Sequence, residues 1–307
     1  MQSQQIVSVV LATYNGQSFL SAQLDSLLKQ THSALEIIIV DDHSDDQTWP
    51  IVLDYSKKDS RVKAFQNDRN LGYIKNFEKG ISLTSARYIA LCDQDDIWKE
   101  EKIELLLNEI KDADLCYCDS ELIDAKGDSL KKNLSDIKNL AAYNSCLPFV
   151  IGNCIAGHAI LAKREMLLSA MPFPNGMVYD WWLAFYFACA GRISYVDKPL
   201  VQYRQHAQNT IAAIKVKGSK RKKQEGVTRL KEIRDRLRLF YETSQRFNVP
   251  EKNVLENIYK SYQCFSLRNN ALRAYTFFSN SRQLLATKKR SPVRNFLFCI
   301  KIFFAIV

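Results

Sequence analysis

Three carboxylates lie within four residues in the segment Asp93-Gln94-Asp95-Asp96. Carboxylates this close repel one another unless a cation neutralises them. A hard divalent ion with oxygen ligands does so while keeping coordination positions for water and phosphate. The alternative is an acidic turn that caps the next helix, because negative side chains suit a helix N-terminus. The segment directly follows the apolar run 88–92, and this placement after a buried strand favours a metal site.

A second pair of carboxylates, Asp41-Asp42, ends another apolar run at 36–40. A carboxylate accepts hydrogen bonds from an imide N–H or from ribose hydroxyls, so this pair can hold a nucleoside. A turn that caps the following helix is the alternative. Lys75, which follows the segment 70–72, can complete the base and phosphate environment.

Asp180 precedes two tryptophans, Trp181 and Trp182. A carboxylate beside two large aromatic rings is partly desolvated, which raises its pKa and its basicity. Indole faces also suit the apolar faces of a sugar ring. These properties make Asp180 the candidate for a general base. The alternative is a helix N-cap followed by two core tryptophans.

The segment Tyr203-Arg204-Gln205-His206 places a cation and an imidazole after a predicted strand. Arg204 can neutralise a leaving diphosphate. His206 can serve as a metal ligand, although a lone histidine is more often structural. All four polar clusters follow the ends of predicted elements and suit one reaction on a nucleotide diphosphate.

The clusters lie on an alternation of strand-like and helix-like segments in the first half of the chain. The short apolar runs that predict strands are 6–12, 36–40, 62–65, 88–92 and 114–118. The segments with apolar residues every three or four positions, which predict helices, are 19–28, 49–55, 70–79 and 101–110. Strands that are apolar on both faces indicate a mainly parallel sheet covered by helices. Because ligands bind beyond the carboxyl ends of such strands, we expect the clusters at 13–15, 41–42 and 93–96 to meet.

The composition is that of an ordinary folded protein and excludes a disordered chain, with 47% hydrophobic and 25% charged residues among 307. Residues 1–214 hold 21 Lys/Arg and 27 Asp/Glu, whereas residues 215–307 hold 22 and 6, so the basic charge belongs to the C-terminal third. The eight cysteines lack metal-binding spacing and predict free, mostly buried thiols in a reducing compartment. The run 6–12 has no cleavage-site pattern and predicts a strand rather than a signal peptide.

These patterns predict an α/β catalytic domain over 1–214, with 119–151 as an irregular connection, and a basic helical extension over 215–307. The residues of the extension that share one helical face are Leu230, Ile233, Leu237 and Phe240. Residues 215–238 carry 11 Lys/Arg and 3 Asp/Glu, a charge that by itself suits nucleic acid. Packing of this helix on the catalytic domain is the plainer interpretation.

The C-terminal tail 296–307 is apolar except for Cys299 and Lys301. A helix of this length spans roughly 18 Å, whereas a bilayer core is about 30 Å thick. The tail can instead lie in a membrane interface, with the preceding basic residues at lipid headgroups: Lys288, Lys289, Arg290 and Arg294. Together with the apolar face of the extension, it fits an anionic membrane better than nucleic acid.

Six segments occur in order along the chain: VSVVLATYNG, EIIIVDDHSDDQT, NLGYIKN, YIALCDQDDIW, YDWW and YRQH. Together they resemble the large inverting, nucleotide-sugar-dependent glycosyltransferase family known as family two. The resemblance covers about residues 6–210. It implies the GT-A fold, with a nucleotide-sugar half at about 1–118 and an acceptor half at about 119–214. DQDDIW, DWW and YRQH together resemble the rhamnosyltransferase-like branch of bacterial capsule and O-antigen assembly.

Carried over onto matching positions, the resemblance implies a role for each cluster. The residues expected at the nucleotide are Thr13, Tyr14, Asn15, Asp41, Asp42, Lys75, Asp93 and Gln94. Those expected at the metal are Asp95, Asp96 and His206, with Arg204 at the diphosphate. Asp180 is the expected catalytic base, and the residues expected at acceptor or sugar are Trp181, Trp182, Gly157 and His158. Where the family usually has an acidic residue before the base, this chain has Tyr179, which leaves acceptor contacts at that position open.

The implied enzyme is a metal-dependent hexosyl- or rhamnosyltransferase that uses Mn²⁺ or Mg²⁺. It takes a sugar from a UDP- or dTDP-sugar, with dTDP-rhamnose one candidate, and passes it with inversion to a hydroxyl of a glycan or lipid-linked glycan. We expect it in the cytoplasm at the inner face of the membrane, without a nucleic-acid partner. A sugar nucleotidyltransferase is the enzymatic alternative, but the Gly-rich basic loop of such enzymes has no counterpart at 13–16. A basic membrane- or nucleic-acid-binding protein is the non-enzymatic alternative.

Overall fold

The computed structural model describes residues 5–206, 226–264 and 266–304, in which nine strands form one mixed sheet flanked by helices. The strands are β1 (Val7–Thr13), β2 (Leu35–Asp41), β3 (Val62–Gln66), β4 (Tyr88–Asp93), β5 (Ile97–Trp98), β6 (Leu115–Ile123), β7 (Ser129–Asn133), β8 (Ile160–Lys163) and β9 (Ile193–Arg204). The helices are α1 (Leu20–Leu28), α2 (Thr48–Lys58), α3 (Tyr73–Leu83), α4 (Lys102–Ile110), α5 (Leu134–Ile137), α6 (Arg164–Ser169), α7 (Tyr179–Ala190), α8 (Gly226–Arg246), α9 (Lys252–Ser261), α10 (Leu267–Ser279), α11 (Ser281–Leu284) and α12 (Pro292–Phe304).

The first half of the sheet is parallel, with strand order β3-β2-β1-β4. Val9 of β1 pairs with Ile37 of β2 and with Ala90 of β4, and all three side chains are buried. Every residue of β2 is buried, because helices cover both faces of a parallel sheet. The predicted α/β class is therefore confirmed, and the polar clusters after β1, β2 and β4 share one edge.

The second half of the sheet is mixed rather than parallel. β8 runs antiparallel to β4 and β6, and β9 runs parallel to β6. β6 extends past the predicted end at 118 to Ile123 and forms a hairpin with β7, so part of the predicted irregular connection is regular structure. The polar residues Asp119 and Ser120 interrupt the apolar pattern, yet both are buried with internal hydrogen-bond partners.

Helix α8 packs its apolar face on the catalytic domain. Ile233, Leu237 and Phe240 are buried, and the Phe240 ring stacks on Phe185 of α7 with centroids 3.8 Å apart. The packing interpretation therefore holds for this face, and the suggestion that it meets a membrane is wrong. The predicted boundary at 214/215 and the most basic part of 215–238 lie outside the described residues.

The last two long helices, α10 and α12, pack against each other and leave apolar side chains at the surface. The exposed apolar residues on these helices are Leu267, Tyr275, Phe278, Val293, Phe296, Leu297, Ile300 and Phe304. Phe278 and Phe296 bridge the two helices with ring centroids 6.0 Å apart. Within the described ranges, no helix combines the length and the apolarity that crossing a bilayer requires.

All eight cysteines are free, and six of them are buried. The prediction of mostly buried thiols is confirmed. Their burial raises thiol pKa values, as at Cys118, where the pKa rises to about 11. Neutral thiols of this kind serve as small core side chains.

Candidate active site

The loop that follows β4 is held against the loop that follows β1. The two strands are adjacent, so Gln94 reaches the Tyr14 backbone, accepting from its N–H at 2.8 Å and donating to its carbonyl at 3.0 Å. A Cβ atom at Gly16 would overlap the Gln94 amide. This interlock fixes the acidic segment 93–96 beside Tyr14, which stays exposed.

Asp93, Asp96 and His158 form an ionisable cluster inside this edge of the sheet. His158 Nδ1 lies 3.1 Å from Asp96 Oδ2 and 3.7 Å from Asp93 Oδ2, while its Nε2 lies 2.9 Å from Ser120 Oγ. Asp96 Oδ1 accepts from the Arg204 N–H at 2.9 Å. Asp96 Oδ2 accepts no well-formed hydrogen bond within the described residues. Because one ligand atom from each of the three residues lies within 4.8 Å of the other two, the donor set suits a divalent cation.

Burial dominates the electrostatics of this cluster. It raises the pKa of Asp96 to about 8 against the opposing effect of His158. Burial lowers the pKa of His158, but Asp96 and Asp93 outweigh it, so that pKa is raised. Lys102 is also buried, donates to the His158 carbonyl at 2.6 Å, and has its pKa lowered to about 8 by desolvation. His158 and Lys102 are therefore the positively charged groups beside Asp93 and Asp96, and a divalent ion would add positive charge to the same cluster.

Asp95 and His206 form a separate pair, with Oδ2 and Nε2 2.7 Å apart. The His206 ring packs on Phe19 at a centroid distance of 5.0 Å. The predicted metal set is thus divided between two groups, because Asp95 faces His206 whereas Asp96 faces inward to His158. The three carboxylates of these two groups lie within the four-residue segment 93–96.

The Arg204 side chain is directed into the fold. It is buried and donates to the carbonyls of Asp95 at 2.7 Å, Asp124 at 3.2 Å and Ala125 at 3.1 Å. The guanidinium also lies over the Phe19 ring at 4.8 Å. A planar five-donor fork satisfies these buried carbonyls, and Arg204 thereby anchors the acidic loop to the β6–β7 hairpin. Its contact with a diphosphate stays a prediction.

Asp41 and Asp42 organise the loops after β2. Asp41 is buried and accepts from Thr13 Oγ1, from Gln66 Nε2 and from the Ser44 N–H and hydroxyl. Asp42 is buried and accepts from the side chain of Asn67 and from the backbone of the segment 71–72. These internal hydrogen bonds account for the burial of both carboxylates without a bound nucleoside.

The other residues predicted at the nucleotide divide between internal and surface positions. Thr13 is buried, and Asn15 accepts from the Asp45 N–H at 2.9 Å, so both serve the loop. Lys75 lies 2.6 Å from Glu78 in an ion pair. Tyr14 is 43% exposed, which leaves its ring as an accessible surface for a base.

Asp180 lies in the first turn of α7, where it is partly exposed. Burial raises its pKa to about 7, and the charge of Asp93 acts in the same direction. The Trp181 N–H, His158 and the side-chain amide of Asn153 oppose this shift. Asp180 therefore has a pKa of about 7, raised by burial and by the charge of Asp93. A pKa in this range suits a general base that works near neutral pH.

The two tryptophans after Asp180 belong to the core. Trp182 is buried and donates Nε1–H to the Ala170 carbonyl at 2.8 Å. Trp181 donates to the Phe149 carbonyl at 2.6 Å, and Arg236 of α8 covers its ring at 4.4 Å. The N–H groups of both indoles are thus satisfied by backbone acceptors inside the fold, and the sugar contacts of Trp181 and Trp182 stay a prediction.

The remaining positions predicted at the acceptor, Gly157 and His158, are also buried. His158 faces the carboxylates described above rather than an acceptor. A Cβ atom at Gly157 would overlap the Tyr179 hydroxyl and ring. Tyr179 is itself buried against Phe77, with ring centroids 4.5 Å apart. Gly157 thus permits the close approach that seats the residue before Asp180.

Residues 8–167 match the description Glycosyl transferase family 2, which is more than half of the chain. The chain belongs to glycosyl transferase family 2. A family member from Escherichia coli, the UDP-Glc:alpha-D-GlcNAc-diphosphoundecaprenol beta-1,3-glucosyltransferase WfgD, is 29% identical over 220 residues, covering 70% of this chain and 83% of its own length. Membership makes this chain a nucleotide-sugar glycosyltransferase and confirms the family-level prediction.

Two solved structures share the fold of this family 2 chain. S. aureus TarS, in complex with UDP-GlcNAc, has a TM-score of 0.59 at 16% identity, covering 97% of this chain and 91% of its own. The mannosyltransferase PcManGT from Pyrobaculum calidifontis, in complex with GDP-Man and Mn²⁺, has a TM-score of 0.52 at 12% identity, covering 98% and 80%. The predicted GT-A fold with C-terminal helices is confirmed.

Sequence reasoning missed the partners that the fold brings to the acidic loop. His158 was predicted at the acceptor, and Lys102 and Asn153 were given no part. The signal for His158 was its glycine neighbour, Gly157, which marks a tight backbone approach. Lys102 carried no signal, since a lysine in a helix is normally exposed.

Proposed function

We propose that this glycosyltransferase moves a sugar from a UDP- or dTDP-sugar to a hydroxyl of a lipid-linked glycan, with inversion, in bacterial surface polysaccharide synthesis. One observation carries the proposal. Asp93 and Asp180 are far apart in the chain, yet the charge of Asp93 acts on Asp180, and Gln94, next to Asp93, hydrogen-bonds the backbone of the exposed Tyr14. The nucleotide-sugar half is about 1–118, and the acceptor half is about 119–214.

Asp180 acts as the general base. The acceptor hydroxyl attacks the anomeric carbon as Asp180 takes its proton, and the nucleoside diphosphate leaves from the opposite face. A single in-line displacement of this kind inverts the anomeric configuration. A pKa near 7 leaves the carboxylate basic enough to accept the proton and sufficiently ionised at neutral pH.

A Mn²⁺ or Mg²⁺ ion suits the cluster of Asp93, Asp96 and His158, with Asp95 and His206 beside it. When bound, the ion supplies positive charge for the diphosphate as the glycosidic bond breaks. Tyr14 presents its ring to the base. The mannosyltransferase that shares this fold, in complex with GDP-Man and Mn²⁺, supports the assignment of the ion.

We propose uracil or thymine as the donor base. UDP is favoured by the E. coli relative, whose name gives UDP-Glc as donor. dTDP-rhamnose stays a candidate because DQDDIW, DWW and YRQH resemble the rhamnosyltransferase-like branch. Uracil and thymine both carry an imide N–H, so the same hydrogen-bond acceptor in the site can bind either nucleotide.

We place the enzyme at the inner face of the cytoplasmic membrane through the exposed apolar side chains of α10 and α12. A contiguous apolar surface of this kind marks an interaction site on a folded protein. Lys289, Arg290, Arg294 and Lys301 are exposed beside it, and cations at the rim of an apolar helix face suit anionic headgroups. The E. coli relative takes a diphosphoundecaprenol-linked acceptor according to its name, which agrees with a membrane location.

A thermal-shift panel of nucleotides and nucleotide sugars, with Mn²⁺, with Mg²⁺ and with a chelator, tests the donor site. We expect stabilisation by UDP or dTDP species that depends on the metal. The matched control is Asp197→Asn, which changes one exposed carboxylate away from the acidic loop, and Asp93→Asn is the test variant. The proposal fails if no nucleotide stabilises the wild type, or if Asp93→Asn responds like the control.

A further inference from the structure

Two lysines from distant segments lie side by side next to the active site. Lys138 and Lys288 are opposite each other in an isolated antiparallel bridge. Arg290 follows two residues later and, with Lys138, acts on the Lys288 charge. Within 5–206, 226–264 and 266–304, none of the three lies within ion-pair distance of a carboxylate. We call Lys138, Lys288 and Arg290 the basic triad.

Like charges directly opposite one another on paired strands repel. At Lys288, burial is the main cause that lowers the ammonium pKa to about 8, and the charges of Arg290 and Lys138 act in the same direction. The backbone nevertheless enforces the pairing, since Asn139 donates from its N–H to the Thr287 carbonyl at 3.2 Å and from its side chain to the Ala286 carbonyl at 2.7 Å. A bound anion would relieve this repulsion.

The basic triad is connected to the general base through one residue. Lys138 Nζ donates to the Asn153 carbonyl at 3.2 Å, and the Asn153 side chain is among the groups that lower the pKa of Asp180. The stem of Lys288 crosses the neighbouring Gly152, where an added Cβ atom would lie 3.3 Å from Lys288 Cε. The cations and the proton acceptor therefore lie on two sides of the short segment 152–153.

The triad also borders helix α12. The Phe298 ring lies 5.7 Å from Lys288 Nζ and 4.9 Å from Arg290 Cζ. The exposed apolar side chains of α12, which we assign to the membrane, are on the same helix. A ligand that reaches Asp180 from that membrane surface would pass the triad.

We propose that Lys138, Lys288 and Arg290 bind the diphosphate group of a lipid-linked acceptor. The inference rests on the proposed function. An acceptor sugar that carries a diphosphate at one end and a nucleophilic hydroxyl at the other would place the anion on the triad and the hydroxyl at Asp180. Lysines supply point charges for phosphate oxygens, and arginine supplies a bidentate fork. The triad thus holds the acceptor, whereas the acidic loop holds the donor.

Vesicle binding by the full-length protein tests this site. The probe is undecaprenyl diphosphate in phosphatidylcholine vesicles, compared with phosphatidylglycerol in phosphatidylcholine at equal surface charge. We expect the wild type to prefer the diphosphate vesicles, and Lys138→Gln and Lys288→Gln each to weaken that binding about tenfold. Lys138→Arg, which keeps the charge, should restore most of it. Lys132→Gln is the matched control, since it removes an exposed cation of β7 that belongs neither to the triad nor to α10 and α12, and we expect less than a twofold change.

The outcomes separate the possible sources of the anion. Equal binding of the wild type to both vesicle types would assign the triad to general membrane headgroups and overturn the proposal. Equal losses in Lys138→Gln and Lys132→Gln would overturn it as well. Thermal melting of each variant, with and without UDP, identifies any that fail to fold, and Lys138→Gln and Lys288→Gln act as independent tests. If no nucleotide stabilises the wild type but the vesicle preference persists, the proposed function fails while the anion site stands.

Discussion

The substitution Asp180→Asn tests the assignment of the general base most directly. Asparagine keeps the size of the side chain and loses its ability to accept a proton. Loss of a general base costs roughly a hundred- to ten-thousand-fold in turnover, and we expect kcat to fall within that range. The dissociation constant for the donor nucleotide should stay unchanged, because the nucleotide meets the acidic loop rather than α7.

The pH dependence gives a second, quantitative expectation. Burial and the nearby Asp93 raise the Asp180 pKa from 3.8 to about 7, a shift that favours the neutral form by about 4 kcal/mol at about 1.4 kcal/mol per unit. Only the ionised carboxylate accepts a proton, so kcat/KM should rise with pH and level off above about 7. At pH 6 roughly one molecule in ten has Asp180 ionised. Below pH 7, kcat/KM should therefore fall about tenfold for each pH unit.

The assay is release of the nucleoside diphosphate from the donor selected by the thermal-shift panel, followed across pH at saturating metal. Asp197→Asn is the matched control, since it neutralises an exposed carboxylate on β9 that accepts from the Tyr195 hydroxyl. The reasoning is refuted if Asp180→Asn turns over at a rate near the wild type. It is also refuted if the wild-type profile lacks an ionisation near pH 7 that the variant loses.

Three further predictions concern the metal, the packing before the base and acid stability. Asp93→Asn should weaken Mn²⁺ binding by more than about tenfold in calorimetry, which is about 1.4 kcal/mol, while nucleotide binding in chelator stays unchanged; equal metal affinity would exclude Asp93 as a ligand. Gly157→Ala should cost about 1–3 kcal/mol of unfolding free energy by overpacking, and adding Tyr179→Phe should recover part of that loss in urea denaturation; absence of recovery would contradict the contact. Burial raises the Glu36 pKa, but hydrogen bonds from Lys63 and two serines outweigh it and lower the pKa from 4.5 to about 2. Ionised Glu36 therefore contributes about 2 kcal/mol above pH 4.5, after allowance for the exposed Lys63, and this is lost as the pH falls from about 4.5 to 2. Denaturation of wild type and Glu36→Gln should converge across that window, and a constant difference would contradict the linkage.

The central parallel strands β1, β2 and β4 were predictable because they are buried on both faces. Their sequences read as continuous apolar runs, and the bounds of β1, predicted at 6–12, differ from Val7–Thr13 by one residue at each end. β8 was missed because four residues are too few to establish a period. β7 was missed because its sequence SLKKN is polar and mostly exposed.

The orientation of side chains after the strands could not be predicted from local sequence. Asp95 and Asp96 are adjacent, yet one meets His206 and the other meets His158. These partners come from the segment after β9 and from the segment before β8, and only the long-range pairing of the strands brings them together. The orientation of Arg204 could not be predicted either. A cation beside an acidic loop suggests a ligand contact, but the side chain donates to buried backbone carbonyls.

Some cations of the C-terminal third bind backbone carbonyls inside the fold, whereas others can bind an anionic partner. Arg273 is fully buried and donates to the carbonyls of Ser261 and Ile302, and Arg234 donates to the Tyr262 carbonyl. These arginines satisfy backbone acceptors near helix ends, where positive charge is stabilising, so they explain part of the excess without an anionic partner. Lys288 and Arg290 differ, because within the described residues they have no carboxylate at ion-pair distance and they face Lys138, a third cation from the catalytic half. Net charge alone therefore overstates the basic surface that is available to an anionic partner. We propose the cation cluster beside Asp180, which has no acidic counterpart among the described residues, as the place where an anionic acceptor binds.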